Sequence, residues 1–377
     1  DYQMVYRCSA VGFYCTVICG ILFSILCVLF SGPLLELLGA GRDTCLATDQ
    51  YMKWTVYFGA TPAILNVVMA YLVRAEGSAM HASIGTMSGC FLNILLDPFF
   101  ILPWGLNMGA EGAGLATFLS NCIACIYFFV LLFVKRGRTY VCIRPSMFRL
   151  QRNILFGICG VGIPAAIQNL LNVTGMTILN NFTSAYGAAA VAAMGIAQKV
   201  NMVPMNISLG LSQGVMPLIS YNYSSGNVDR MKRTLMFSMK IAISFLAAVA
   251  AAYYFFSEDL IGVFMKDEEI VGYGSAFLQG FCLALPFLCI DFIAVAVFQA
   301  CGMGKHALVF ALLRKVVLEI PALFILNRLV PLYGLAYAQF AAEIVLSVAA
   351  VIVLRKLFKR LYAERAEKEQ EKEHRQQ

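Results

Sequence analysis

The sequence predicts an all-α integral membrane protein: ten transmembrane helices, belonging to a twelve-helix, parallel two-lobe (6+6) fold. Three observations predict it. First, 60% of the 377 residues are hydrophobic and 13% charged, with a mean hydropathy of +0.76, whereas an average soluble domain carries about 25% charged residues. Second, the charges gather in short segments between long apolar windows. Third, the chain resembles itself at an offset of about 225 residues.

Ten windows are long enough to cross ~30 Å of hydrocarbon. The first, 8–31, is uncharged. The second, 47–73, contains Lys53 and the sequence FGATPAILN. The third, 80–101, is interrupted by Asn93, Asp97 and Pro98. The fourth, 112–134, opens on EGAGLA and includes Cys122 and Cys125. The next two, 153–184 and 188–221, are one long stretch that divides at SAYGAAA, around Tyr186 and Gly187. The windows 232–256, 269–300, 306–328 and 333–354 complete the set; Asp291 lies in the eighth, and Arg314, Lys315 and Glu319 in the ninth.

Lys and Arg in short loops set the orientation. The segment KRGRTYVCIRPSMFRLQR carries Lys135, Arg136, Arg138, Arg144, Arg149 and Arg152 and no acid, so it is assigned to the cytoplasm. Alternation then gives the same side Arg7, Arg74, Arg230, Lys232, Arg233, Lys305 and the tail RKLFKR. The other side receives Arg42, Lys266 and Arg328 with Glu258, Asp259, Asp267, Glu268 and Glu269. Both termini of this multi-pass membrane protein are expected in the cytoplasm. The net charge of +7 therefore belongs to loops and tail and is no nucleic-acid signal. The 13 cysteines are scattered through apolar windows. The Cys122–Cys125 pair has no second pair, so it reads as small apolar helix residues and no structural disulfide is expected. No signal peptide or lipidation motif is visible.

The internal repeat rests on five anchors. Gly77 and His81 in VRAEGSAMHA pair with Gly302 and His306 in FQACGMGKHA, each 225 apart. Pro62 pairs with Pro286, 224 apart, and LLELL at 34–38 with LIGVF at 260–264, 226 apart. Gly112 and Ala116 pair with Gly334 and Ala338, 222 apart. Matched segments run in one direction, which makes them parallel repeats about an axis along the membrane normal. Residues 1–134 are then an amino-terminal lobe with four of six helices. Residues 135–152 are a cytoplasmic joint, 153–356 a six-helix carboxyl-terminal lobe, and 357–377 a polar cytoplasmic tail that reads as a solvated helix. Residue 1 maps near residue 226, so two helices equivalent to 153–225 are expected ahead of this chain in a twelve-span parent.

Asp97 is the strongest functional candidate. A carboxylate at the centre of a membrane helix costs at least ~2.5 kcal/mol, so it marks a functional site by default. Asn93 lies one turn earlier on the same helix face. Pro98 removes a backbone donor and can kink the helix, freeing carbonyls for a cation or proton site. Thr117 on the next span offers a hydroxyl. In the second half Asp291 is another intramembrane acid, and Glu319 stands four residues after Lys315, the spacing of an ion pair. Gln168, Asn169, Asn172, Asn180 and Asn181 give one span a polar face, suited either to a water-filled cavity or to helix–helix hydrogen bonds. The polar run SQGVMPLISYNYSSGN ends a span. His81 and His306, at equal loop positions of the two halves, suit structural caps, and His374 in the tail is given no role. There is no Walker sequence, nucleophile elbow or His/Cys metal cluster, so no cofactor is expected.

LNILLDPFFI followed by GAEGAGLATFLSN, then QGVMPLISYNYSSGN and FQACGMGKHALVFALLRKVVLEIP, resemble in order and spacing the multidrug and toxic compound extrusion (MATE) transporters. The resemblance covers about residues 1–360. It implies two six-helix lobes with a cleft that alternates between faces, working as a monomer. It further implies export of amphipathic, mostly cationic compounds against inward H⁺ or Na⁺. In the DinF/MepA-like branch it implies a cation site built from an Asn and an Asp four apart, a hydroxyl from the next helix, and an Asp from the first helix. Asn93, Asp97 and Thr117 match the first three; the fourth would lie on the expected preceding helices. The NorM-like branch uses a Glu where this chain has about Asn172, and an Asp close to Asp291. Half of that pattern is absent, which favours the DinF/MepA-like branch. Other readings are a lipid-linked oligosaccharide flippase of the same superfamily, a membrane-embedded enzyme, and a non-transporting sensor or scaffold. A flippase calls for more cavity cations than Lys53, Lys199, Lys240, Arg314 and Lys315, an enzyme calls for a clustered catalytic set, and the duplicated halves suit alternating access better than a scaffold.

Overall fold

The computed structural model describes residues 2–37 and 45–376; for 368, 369 and 371–376 only the backbone is described. Arg42, Leu38 of the LLELL anchor and the His374 side chain lie outside what is described. The chain divides into two compact units, Asp1–Ile154 and Leu155–Gln377.

The first unit comprises α1 (Tyr2–Leu29), α2 (Ser31–Leu37), α3 (Cys45–Met52), α4 (Ala60–Ala75), α5 (Ala79–Ile101) and α6 (Ala110–Val134). A π-helical segment, Lys53–Tyr57, joins α3 to α4, and the chain bends by 45° there. The window 47–73 is thus a broken span. α1 packs on α4, and α5 on α6 and α4. Their shared core is built on Met69, Val73, Phe128 and Leu132. After α6 the chain returns along α1: Tyr14 Oη donates to the Ile143 carbonyl at 2.8 Å, and the Cys142 amide donates to Ser9 Oγ at 2.9 Å.

The second unit comprises α7 (Arg152–Ser184), α8 (Ala188–Ser224), α9 (Val228–Phe255), α10 (Ser257–Gly262), α11 (Glu268–Ala300), α12 (Gly304–Leu312), α13 (Ile320–Leu329) and α14 (Gly334–Gln376). α11 is its axis, packed on α8, α9 and α14 and buried along most of its length. Gly280 lets α11 approach α14, because a Cβ there would press on Ala336. The window 306–328 becomes α12, a π-helical segment (Leu313–Glu319) and α13. The tail continues α14 without a break. Among the described residues eight helices are long and apolar enough to cross a membrane, and the broken pair makes a ninth.

The boundaries follow local chemistry. Asp267 caps α11 by accepting from the amides of Glu269 and Ile270, and Asn227 caps α9 by accepting from Arg230. Gly77 and Gly302, the repeat anchors, have φ of +88° and +73°. Each closes the preceding helix with one turn: Ser78 N donates to Val73 O at 3.2 Å, and Met303 N to Phe298 O at 2.7 Å. A left-handed residue at that position is what glycine supplies. His81 and His306 fall just inside the following helices. His81 meets the Tyr127 hydroxyl at 3.3 Å, and His306 packs on the Phe298 ring.

Candidate functional site

In the first unit, small residues bring α5 and α6 close enough for polar side chains to meet. A Cβ on Gly89 would stand 3.1 Å from the Ala124 methyl, and one on Gly85 would collide with the buried Phe128 ring. One turn beyond Gly89, Asn93 Nδ2 lies 3.4 Å from Asp97 Oδ1 and 3.5 Å from Thr117 Oγ1. These contacts are long for hydrogen bonds, so the three side chains are gathered rather than locked. All three are half-buried. Pro98 sits in the last turn of α5, where the Leu102 amide donates to its carbonyl at 3.1 Å. The missing donor therefore acts near the helix end and not in mid-span.

Two residues that the sequence reading passed over extend this cluster. Asn121 Nδ2 donates to the Thr117 carbonyl at 3.1 Å, and Asn66 Nδ2 to Asn121 Oδ1 at 3.3 Å. Asn66 is buried, and its Oδ1 has no donor. Asn121 was findable, since it follows Thr117 by one helical turn; Asn66 was not, because its place depends on how α4 packs. The carboxylate, amide and hydroxyl oxygens here are the hard donors that suit a proton or an alkali cation. Among the described residues no three His, Cys, Asp or Glu side chains converge as a metal site.

In the second unit, five charged side chains form one buried cluster. Arg314 Nε is 2.7 Å from Glu343 Oε1, and its Nη1 is 3.4 Å from Asp291 Oδ2. The three side chains are at most 3% exposed. The Arg314–Glu343 approach is an ion contact without hydrogen-bond alignment, and among the described residues neither Glu343 oxygen nor Asp291 Oδ1 has a donor. The guanidinium also lies over the Phe292 ring, 5.0 Å from its centre. Lys315 Nζ meets Glu319 at 2.7 Å, the pair that the spacing anticipated. Three carboxylates thus face two cations, and one bound proton brings the cluster to neutrality.

A cavity of about 180 Å³ opens onto this cluster. Arg314, Lys315 and Glu319 form its charged wall; Asn172, Gln198 and Asn201 add amides, and Met176, Met202 and Met205 add thioethers. Of the second-half candidates, Asn172 and Glu319 meet at this cavity, and Asp291 joins them through Arg314. Gln168 is not part of its wall. Glu343, in α14, was missed although it carries the signal that picked out Asp97, an acid inside an apolar window.

The MatE family model matches residues 1–99 and 164–325. The chain belongs to the MATE family. It is a multi-pass membrane protein of a transporter family and not an enzyme, in agreement with the resemblance read from its motifs. The multidrug export protein MepA of Staphylococcus saprophyticus is 31% identical over 368 residues, 97% of this chain and 80% of that protein. MepA of Staphylococcus aureus (strain bovine RF122) is 32% identical over 369 residues, with the same coverage. Among solved structures, an outward-facing multidrug resistance MATE family transporter of the MOP superfamily superposes with a TM-score of 0.89. It is 25% identical, and the match covers 95% of this chain and 80% of that one. Asn93 and Asp97 fall inside the first block matched by the family model, and Asp291 and Glu319 inside the second.

Proposed function

We propose that this chain exports amphipathic, mostly cationic drugs or toxic compounds by alternating access. Inward H⁺ or Na⁺, bound at Asn93, Asp97 and Thr117, drives it. The observation that carries the reading is the meeting of these three side chains across α5 and α6, within 3.5 Å, inside otherwise apolar helices. The MepA relatives, named multidrug export proteins, support export of several drugs; the amphipathic, mostly cationic chemistry is what the family resemblance implies. Transport takes place in a bacterial inner membrane, by a monomer whose termini face the cytoplasm.

Coupling needs a ligand that interacts differently with two conformations. Asp97 supplies that difference. As a carboxylate it accepts from Asn93 or holds Na⁺; once protonated it becomes a donor and leaves its α5 neighbour for another acceptor. Either change alters the contact between Asn93 and Thr117, a polar link from α5 to α6. The methionines and amides of the second-unit cavity offer soft, adaptable contacts for apolar cations, and Glu319 stands in its charged wall.

The experiment is dye efflux in everted vesicles from the complete reading frame, wild type against Asp97→Asn, under a pH gradient or a Na⁺ gradient separately. Efflux is expected to follow one gradient, and the response to fall by about 5- to 150-fold in the variant, the usual span of a coupling free energy. Equal efflux in the two proteins would remove Asp97 from coupling. No dye movement in either would favour the flippase reading.

A further inference from the structure

The second unit holds another recess, unconnected with the charged cluster. It is a groove of about 600 Å³ between α9 and α14, floored partly by Ile290 of α11. Its inner wall is apolar: Leu235, Leu354 and Phe358 are buried there, with Ile243 and Val351 beside them. Its rim is basic. Lys232 and Lys240 come from α9, and Arg355 and Lys359 from α14; among the described residues no acid lines it.

Those cations are not committed elsewhere. Asp229, in the first turn of α9, accepts from the Tyr362 hydroxyl at 2.8 Å and from Arg365 at 2.7 Å. Glu364 accepts from Arg360 at 2.7 Å. Lys232 stands 5.6 Å from the Tyr362 ring centre. Lys240, Arg355 and Lys359 have no ion pair among the described residues. Four cations border one apolar recess, and an anion seated there would be attracted by all of them.

The level of the groove identifies that anion. Arg355 directly follows the apolar window 333–354, and Lys240 directly precedes the uncharged run 241–256. The start of the window 232–256, up to Lys240, is therefore placed with Arg355 where hydrocarbon gives way to headgroups, and the apolar wall continues into the hydrocarbon. A soluble anion would leave that wall bare. A cationic drug would be repelled by the rim.

We infer that the α9–α14 groove binds an anionic glycerophospholipid. Its phosphate lies between Lys240 and Arg355, with Lys232 and Lys359 flanking, and an acyl chain runs along Ile243, Ile290 and Val351. Basic recesses between membrane helices recognise headgroups in this way, at an attraction that corresponds to about fivefold in affinity per charge. The inference does not depend on what the protein transports.

The test is native mass spectrometry of the purified full chain in a nonionic detergent. Phosphatidylglycerol and phosphatidylcholine with identical acyl chains are titrated against the wild type, Lys240→Gln/Arg355→Gln, Val351→Trp and Lys305→Gln. The wild type is expected to retain phosphatidylglycerol over phosphatidylcholine. The double variant should lose roughly 30-fold in phosphatidylglycerol affinity with little change for phosphatidylcholine. Val351→Trp, which fills the apolar wall without changing charge, should also weaken phosphatidylglycerol, and it decides the matter if the double variant does not fold. Lys305→Gln, outside the groove, should bind as the wild type does. Equal retention of both lipids overturns the inference. So does loss in Lys305→Gln as large as in the double variant, or displacement of phosphatidylglycerol by millimolar inorganic phosphate.

Discussion

Arg314 shows how a single residue organises a buried site. It touches both Asp291 and Glu343, while Lys315 is taken up by Glu319. Removing the guanidinium leaves three carboxylates with one cation, whereas removing Glu343 leaves two with two. Arg314→Gln is therefore expected to lose about 3–5 kcal/mol of stability, and Glu343→Gln to melt near the wild type. Thermal unfolding of the purified proteins checks this; equal melting of wild type and Arg314→Gln would show that the charges are compensated in another way. At the same scale, Thr117→Val removes the hydroxyl that Asn93 reaches but keeps the shape. It should weaken the ion response of efflux while leaving the amount of folded protein unchanged, as read by efflux against gradient size and by membrane content.

Elements, not residues, decide whether those groups meet. Gly85 and Gly89 set the α5–α6 distance, and Asn93 and Thr117 meet one turn further along. An Ala at position 89 fits with a shift of a few tenths of an ångström, but a Leu forces the helices apart. Gly89→Leu is expected to cost about 1–3 kcal/mol through overpacking and to abolish the ion-driven part of efflux, with Gly89→Ala close to wild type. Paired melting and efflux measurements on the two variants read the gradation; a Leu variant with full coupling would disprove the dependence on helix spacing. In the second unit the π-helical segment Leu313–Glu319 has the matching role. Its i→i+5 closure, Ile320 N to Lys315 O, accompanies the burial of Arg314, Lys315 and Glu319 together. Such segments are frequent at functional sites.

At the scale of the whole molecule, the two units each have a core of their own and are joined through a segment rich in exposed arginines. Arg136, Arg138, Arg144 and Arg149 are exposed there. Trypsin added to inverted vesicles is expected to cut this segment and give two fragments that divide near residue 150, whereas right-side-out vesicles should protect it. The reverse pattern would invert the orientation assigned from the loop charges. The distribution of charge across the chain makes the prediction, because positive loops resist translocation whatever the helices between them do.

The sequence by itself determined the membrane class, most of the apolar windows, a turn repeated between the halves and the carboxylates in apolar helices, because each is written in local composition and spacing; ten spans were expected, and among the described residues eight helices, or nine with the bent pair, are long and apolar enough to cross. Gly77 and Gly302 are an example: one turn, with one residue able to take its φ, appears twice at one offset. Asn93 and Asp97 were legible together because they share a helix face, and Lys315 with Glu319 for the same reason. The tertiary structure alone decided which distant residues share a site. Asp291, Arg314 and Glu343 lie on three different elements, and Asn66 reaches the Thr117 site only through Asn121. It also decided that the windows 47–73 and 306–328 are interrupted by π-helical segments. Periodicity fixes which face of a helix is polar, but which helix that face meets depends on how small residues, bends and buried charges fit together across the fold.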